Sequence, residues 1–252
     1  MHIDSRPVNE LPDLIPEGMD ATREGLASSS RSGASGRVAA GIFLSRITGL
    51  IRERVFAHYF GASSFADAWR AALRIPNVLQ NLLGEGTLSA SFIPIYSELL
   101  EEERHEEGAR FAGAVFGLLT LTAGVLGLLG IVLAPILVAV FFDGFDPERQ
   151  ALTVDLVRIL FPMTAILVIS AWALGILNSH RRFFLPYVAP VAWNASIIAA
   201  MTGGALGWGL SGEALARIVA WGALVGGGLQ VSVQLPSALR LLDEFRPSLS
   251  LQ

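Results

Sequence analysis

The sequence predicts an all-α membrane protein that crosses the bilayer six times. Of its 252 residues, 52% are hydrophobic and 16% are charged, whereas soluble domains contain roughly 25% charged residues; the mean hydropathy is +0.54. The apolar residues form blocks without Asp, Glu, Lys or Arg, at residues 111–142, 159–179, 183–212 and 218–239. Each block reaches the ~20 residues that a membrane-spanning helix needs, and period-2 alternation typical of β-barrel strands is missing. The composition therefore excludes a soluble enzyme, a nucleic-acid-binding protein or a disulfide scaffold as an interpretation of the whole chain.

A polar tail precedes six hydrophobic segments. Residues 1–36 are rich in Ser, Pro and Gly, so we expect a disordered cytoplasmic tail. Residues 37–240 contain the six segments, and residues 241–252 follow as a cytoplasmic linker. Pro, Gly and charged residues separate the segments, which are expected at residues 38–60, 66–98, 109–142, 153–178, 184–208 and 213–240.

Arginine is distributed unevenly among the loops. With the N-terminus in the cytoplasm, most loop arginines lie inside, as the positive-inside rule requires, and Arg149 is the clear basic residue in an outside loop. The expected inside loops and C-terminal segment contain Arg104, Arg110, Arg181, Arg182, Arg240 and Arg246. We therefore predict a multi-pass membrane protein with a cytoplasmic N-terminus.

Charged side chains interrupt the first two segments. Five are positive and three are negative, an excess of two positive charges: Arg46, Arg52, Glu53, Arg54, Asp67, Arg70, Arg74 and Glu85. A charge near the middle of a membrane helix costs about 2.5–3.5 kcal/mol on insertion scales. We therefore expect these groups to face a water-filled cavity or one another, which makes this stretch the candidate functional site.

The second segment has a polar face. Asp67, Arg74, Asn77, Asn81 and Glu85 fall nearly in line at helical spacing, with Arg70 at the edge of that line. Pro76 and Gly84-Glu85-Gly86 are expected to interrupt this helix, and broken membrane helices are tolerated where they line a cavity or are buried in protein.

The carboxylates in these segments allow two interpretations. Asp67 would neutralise Arg70 or Arg74, and Glu53 would neutralise Arg46 on the same helix face, or these acids would have a coupling-ion role. Arg54 is expected near a helix end, at the membrane interface.

The sequence contains no catalytic constellation. HExxH, GxSxG and P-loop patterns are absent, the four histidines are scattered, and there is no cysteine. We therefore predict transport or binding rather than catalysis, without a cofactor or metal.

An ordered set of motifs runs through residues 37–240. The motifs are Ser45-Arg46-Ile47-Thr48-Gly49, Arg52-Glu53, Phe60-Gly61-Ala62, Asp67-Ala68, Arg74-Ile75-Pro76-Asn77, Gly84-Glu85-Gly86, Ser91-Phe92-Ile93-Pro94, Gly175-Ile176-Leu177-Asn178, Phe183, Pro186, Pro190 and Asn194. In this order they resemble the MviN/MurJ lipid II flippase family of the multidrug/oligosaccharidyl-lipid/polysaccharide (MOP) exporter superfamily.

The resemblance implies a fold and a function. The family has two helical lobes around a central cavity, and the six segments resemble the first lobe, so we expect the chain to be truncated near Gln252. The implied function is translocation of lipid II, the undecaprenyl-diphosphate-linked peptidoglycan precursor, across the inner membrane by alternating access. Membrane lipids and the peptidoglycan synthesis machinery are further candidate partners.

The resemblance also indicates site residues. Arg46, Arg52, Asp67, Asn77 and Glu85 fall on cavity positions that the family needs. The family often has an arginine where this sequence has Gln80, and we expect Arg74 or Arg70 to supply that charge. The predicted diphosphate-binding residues are Arg46, Arg52, Arg70, Arg74 and Asn77, and the predicted charge-pairing or gating residues are Glu53, Asp67 and Glu85.

Other functions stay open. Another MOP exporter, either a polysaccharide-lipid flippase or a drug exporter of the MATE type, is the nearest alternative, although an excess of positive charge disfavours a cationic drug. A membrane scaffold that recruits cell-wall enzymes without transporting anything is an alternative of a different class.

Overall fold

The chain divides into two compact units, Met1–Ala40 and Gly41–Gln252. The computed structural model describes residues 17–86 and 88–242, with side chains described from residue 36 onward except at residues 37, 38, 85 and 89. In the first unit the described backbone, from Glu17 on, is helical. Residues 1–16, 87 and 243–252 lie outside the described residues. The predicted disordered tail, residues 1–36, is therefore described only from Glu17, where the backbone is helical. The predicted C-terminal linker, residues 241–252, is described only at residues 241 and 242, and both assignments stay predictions.

All regular structure in the described ranges is helical. The α-helices are α1 (Glu17–Phe60), α2 (Ser64–Gln80), α3 (Ile93–Glu101), α4 (His105–Phe141), α5 (Pro147–Ser179), α6 (Phe184–Thr202) and α7 (Gly212–Leu239). Three π-helical segments complete the order, π1 (Asn81–Gly86) and π2 (Leu88–Phe92) between α2 and α3, and π3 (Gly203–Gly207) after α6.

Four of the described helical segments are long and apolar enough to cross a membrane. They are α4, α5, the segment Phe184–Gly207 formed by α6 and π3, and α7. The chain is therefore a multi-pass membrane protein. Helix length and composition do not confirm the predicted six crossings, because the charges of α1 and α2 lower their hydropathy and α2 has only 17 residues.

The second hydrophobic segment is broken, but only at one of the two predicted places. The α2 helix continues through Pro76 to Gln80, so the predicted break at Pro76 is wrong. Membrane helices tolerate an internal proline because neighbouring groups satisfy the freed carbonyl. The break at Gly84-Glu85-Gly86 is confirmed, since this tripeptide lies in π1, where two glycines weaken the regular helix.

The α5 helix is the centre of the second unit. It packs against α2, α4 and α7, and α7 also packs along α6. One apolar cluster joins α5 to Phe56, Trp69 and the first half of α7. A second cluster joins the other half of α5 to Tyr96 of α3 and to α4.

Polar contacts mark the two ends of the helices. At one end, Arg149 of α5 pairs with Asp67 of α2. At the other end, Ser97 of α3 donates a hydrogen bond of 3.2 Å to Ser179 of α5. The helices α2 and α5 therefore begin at the same end of the unit, which is the arrangement that alternate crossings of a bilayer would give.

Candidate functional site

Arg52 connects α1 to α6. Its Nη1 donates a hydrogen bond of 3.0 Å to Asn194 Oδ1, and its Cζ lies 5.0 Å from the centroid of the Trp193 ring. Its Nη2 donates a bond of 2.6 Å to Glu53 Oε1. Only 23% of the Arg52 side chain is exposed. A guanidinium has five N–H donors in a fork that matches phosphate oxygens, and the two bonds to described residues leave donors for an anion.

Asn194 is buried, and both the oxygen and the nitrogen of its side-chain amide have hydrogen-bond partners. Its Oδ1 accepts from Arg52, and its Nδ2 donates to Thr48 Oγ1 of α1 at 3.3 Å. The small Gly49 lies beside this contact, where an added Cβ would lie 3.8 Å from Asn194 Nδ2. Asn194 therefore fixes the position of α1, and of Arg52 with it, against α6.

Trp193 is oriented by α7. Its Nε1 donates a hydrogen bond of 3.1 Å to the carbonyl oxygen of Ala223. The helices meet closely here because of Gly226, where a Cβ would lie 3.0 Å from Trp193 Cα. The α7 backbone thus sets the ring against which Arg52 stacks.

A charged cavity of about 450 Å³ lies beside α2. It is lined by Asp67, Arg70, Ala71, Leu73, Arg74, Asn77, Phe142 and Phe145. Asp67, Arg74 and Asn77 of the predicted polar line therefore share one cavity with Arg70. Asn81 is not among the lining residues of this cavity. Arg74 also borders an apolar groove of about 530 Å³ between α2, α4 and α5.

An uncharged cavity of about 590 Å³ adjoins the charged one at Asn77. We call it the amide cavity, because its polar side chains are Asn77, Gln80, Asn81, Ser170, Gln230 and Gln234. Its apolar walls include Trp193 and Pro190 of α6. The polar face predicted for the second segment is therefore present, and it lines two adjoining cavities.

The expected ion pairs within α1 and α2 are not the ones that form. Glu53 pairs with its neighbour Arg52 rather than with Arg46. Asp67 Oδ2 lies 3.5 Å from Arg149 Nη1, because α5 begins beside α2 and brings an arginine closer than those along α2 itself. Both acids are more than half exposed, so these pairs are weak.

The remaining predicted site residues lie apart from this contact. Arg46 is exposed on α1 and has no ion pair with a described residue. The backbone of Glu85 lies in π1, and its side chain is outside the described residues. Arg70, which lines the charged cavity, stacks on Phe56 of α1 with 5.9 Å between Cζ and the ring centroid.

Sequence patterns alone missed several polar residues of the site. No sequence motif marks Trp193, Ser170, Gln230 or Gln234. The signal for the two glutamines is their spacing, since Gln230 and Gln234 lie four residues apart in a block that is otherwise almost entirely apolar. In the described part of the chain, no group of three or more His, Asp or Glu side chains could hold a metal ion.

The α4–α5 loop carries a well-defined helix cap outside the membrane-spanning segments. Asp146 Oδ1 accepts a hydrogen bond of 3.0 Å from the backbone N–H of Arg149, which lowers the pKa of the Asp146 carboxyl. This cap holds Arg149 where it reaches Asp67 of the charged cavity.

Comparison with known proteins gives consistent matches. The family model described as lipid II flippase MurJ matches residues 56–251. The lipid II flippase MurJ of Burkholderia cenocepacia is 38% identical over 195 residues, which are 77% of this chain and 37% of that protein. The probable lipid II flippase MurJ of Bdellovibrio bacteriovorus is 36% identical over 197 residues, with the same coverage of both chains.

A solved structure is similar as well. The lipid II flippase MurJ in an inward closed conformation superposes with a TM-score of 0.69 and 27% sequence identity, over 84% of this chain and 43% of that chain. The chain thus spans less than half the length of the relatives that it matches.

Proposed function

Because the chain belongs to the MurJ lipid II flippase family, we propose that it forms the substrate-binding first lobe of a lipid II flippase in the bacterial inner membrane. The proposed activity is the translocation of the undecaprenyl-diphosphate-linked peptidoglycan precursor by alternating access, with a second lobe completing the transporter. A flippase moves its substrate without changing a covalent bond, so we propose no enzymatic activity.

The observation that carries this proposal is the setting of Arg52. The guanidinium stacks on Trp193 and donates to Asn194, which holds it in one place while donors stay available. A lipid diphosphate carries at least two negative charges, and charge-assisted bonds from arginine to phosphate are about twice as strong as neutral ones. Glu53, 2.6 Å from Arg52, would compete with the diphosphate for the guanidinium and so favour release in one state of the transport cycle.

We propose that the whole lobe crosses the membrane six times with the N-terminus in the cytoplasm. The support is that all six predicted segments are helical and that arginine is concentrated in alternate loops. In this arrangement α1 and the segment from α2 to α3 are the two crossings that face the central cavity, where water or the second lobe accommodates their charges.

The second part of the proposed site is the charged cavity. Arg70, Arg74 and Asn77 line it together with Asp67, and Arg46 lies on α1 six residues before Arg52. We propose that Arg46, Arg70, Arg74 and Asn77 contact the diphosphate or its path, and that Asp67, like Glu85, tunes the arginines by charge pairing.

The function is tested by complementation of a flippase-depleted strain with the whole protein. Arg52→Ala removes the held guanidinium, and we expect loss of growth at normal protein levels. Arg54→Ala is the matched control, because Arg54 is an exposed arginine on the same helix, and it should complement fully. Growth with both Arg46→Ala and Arg52→Ala would contradict the flippase and favour the non-transporting scaffold.

A second experiment tests which arginine supplies the charge that the family often has at the position of Gln80. If Arg74 supplies this charge, Arg74→Ala should lower complementation, and Gln80→Arg in the same chain should restore it. Arg70→Ala with and without Gln80→Arg gives the parallel test for Arg70. Intact flipping in both single variants would contradict this assignment while leaving the role of Arg52 untouched.

A further inference from the structure

The amide cavity contains a hydrogen-bonded group that crosses from α5 to α7. Ser170 Oγ donates to Gln234 Oε1, and Gln230 Nε2 donates to Ser170 Oγ at 3.0 Å. Gln234 is 1% exposed, and its Nε2 has no hydrogen-bond partner among the described residues. Buried N–H groups without a partner are rare in folded proteins, and this one belongs to a side chain that lines a cavity.

The lining of the cavity selects the charge of its ligand. All six polar side chains are neutral amides or hydroxyls, and among the described side chains no Asp, Glu, Lys or Arg lines it. A phosphate or a cation would lose its hydration without gaining an opposite charge. Amides supply both donors and acceptors, which suits an uncharged ligand rich in hydroxyl and amide groups.

The position of the cavity connects it to the diphosphate site. Trp193 lines the cavity on one side and carries Arg52 over its ring. Asn77 belongs to both the charged and the amide cavity. A ligand with a charged diphosphate at Arg52 would therefore extend its neutral part past Trp193 toward Gln234, and pockets of this kind combine apolar walls with a few placed polar groups.

We propose that the amide cavity is a binding subsite for the saccharide of a diphosphate-linked lipid, with Ser170, Gln230 and Gln234 as its hydrogen-bonding residues. This inference rests on the proposed function, since it assigns the neutral part of the same substrate. The arginines bind the diphosphate, and the amide cavity distinguishes a lipid that carries a sugar from one that does not.

The test measures dissociation constants of the purified whole protein in detergent for three lipids. These are lipid II, undecaprenyl diphosphate with one N-acetylated sugar and no peptide, and undecaprenyl diphosphate alone. We expect Gln234→Met to weaken binding of both sugar-bearing lipids about tenfold and to leave undecaprenyl diphosphate within about twofold. Arg52→Ala should weaken all three.

The controls separate this subsite from a folding effect. Gln150→Met is the matched variant, because Gln150 donates to the carbonyl oxygen of Phe142 outside the cavity, and it should change none of the three constants. Gln234→Met removes a buried N–H that has no described partner together with the acceptor of Ser170, so its melting temperature should stay close to that of the unmodified protein. Gln230→Met, at a half-buried position, gives the same binding test if Gln234→Met cannot be purified.

Three outcomes for Gln234→Met would overturn this inference and leave the proposed function standing. The first is unchanged binding of all three lipids, and the second is an equal loss of binding for all three. The third is weaker binding of lipid II with unchanged binding of the single-sugar lipid, which would assign the cavity to the peptide. An unmodified protein that binds none of the lipids would overturn the proposed function together with this inference.

Discussion

The helices α1 and α2 differ from the helices α5 to α7 in the polar groups that they carry. Arg46, Arg54, Arg70 and Arg74 are all exposed, whereas the buried polar side chains of the described residues are neutral and lie on α5, α6 and α7: Thr153, Thr164, Ser170, Asn194 and Gln234. Burial of an unpaired charge costs far more than burial of an amide or hydroxyl. The buried interior of the described residues therefore contains neutral polar groups, and the described charged side chains stay at least partly exposed.

The charged region, α1 and α2, meets the neutral region, α5 to α7, at Arg52. Arg52 bonds to Asn194, a neutral residue of α6, and it is the least exposed among the arginines of α1 whose side chains are described. The same helix exposes large apolar residues such as Phe43 and Leu50, so α1 presents both lipid-compatible and charged surfaces. Substitutions on either side of this contact test how far the charged region depends on the neutral one.

The largest effect is expected for Asn194→Leu. This change removes the acceptor of Arg52 and the donor to Thr48, and a hydrogen bond to a charged group contributes about 1.5–3 kcal/mol. We expect roughly 10- to 100-fold weaker lipid II binding and loss of transport in proteoliposomes of the whole protein. Ser196→Ala is the control, since Ser196 on the same helix bonds to Gly222 of α7 and should keep transport. Unimpaired transport by Asn194→Leu would show that α1 positions Arg52 without α6.

Sequence patterns predicted the two regions better than they predicted their contact. Hydropathy located the four described segments that could cross a membrane, and the glycines at residues 84 and 86 located the break, because these properties act within a few residues along the chain. The Arg52–Asn194 bond joins residues that are 142 positions apart, and the Asp67–Arg149 pair depends on how α5 packs beside α2. Spacing within one helix could propose Arg70, Arg74 or Arg46 as ion-pair partners, but only tertiary packing decides which partner is nearer.

The second largest effect is expected for Gly226→Ala, because Gly226 lies where the α7 backbone packs against Trp193, the ring on which Arg52 stacks. A Cβ on Gly226 would lie 2.9 Å from Ser196 Cβ and 3.0 Å from Trp193 Cα, so Gly226→Ala must push α6 away from α7. Overpacking of this kind costs about 1–3 kcal/mol, and we expect a lower melting temperature and weaker lipid II binding. A Cβ on Gly228 would meet nothing within 4 Å, so Gly228→Ala is the matched control. Equal melting temperatures of the two variants would contradict close packing of α6 on α7.

A smaller effect is expected where the charged region meets α5. Asp67 and Arg149 form a half-exposed pair, and such pairs contribute about 0.2–1 kcal/mol. A double-mutant cycle with Asp67→Asn and Arg149→Gln should give a coupling energy in this range from thermal unfolding. High salt should reduce it, because exposed charges are screened. A coupling well above this range would mean that the pair is more deeply buried than its exposure indicates.

The smallest effect is expected for Asp146→Ala, which removes the helix cap beside Arg149 and leaves Arg149 itself unchanged. The bond from the backbone N–H of Arg149 to Asp146 holds the pKa of the Asp146 carboxyl below its ordinary value. A lowered pKa in the folded state means that the cap stabilises the fold above the unfolded pKa of about 4, and that this contribution is lost as the pH falls through the folded pKa. Asp146→Ala should therefore lower the melting temperature at pH 7, with a difference from the unmodified protein that shrinks below about pH 4.

Asp146→Asn should keep most of the stability at pH 7, because asparagine is an equally good N-cap, and Asp143→Ala in the same loop should change little. A difference for Asp146→Ala that is independent of pH would mean that the side chain contributes packing rather than an ionised cap, and that Arg149 reaches Asp67 without help from its own helix terminus.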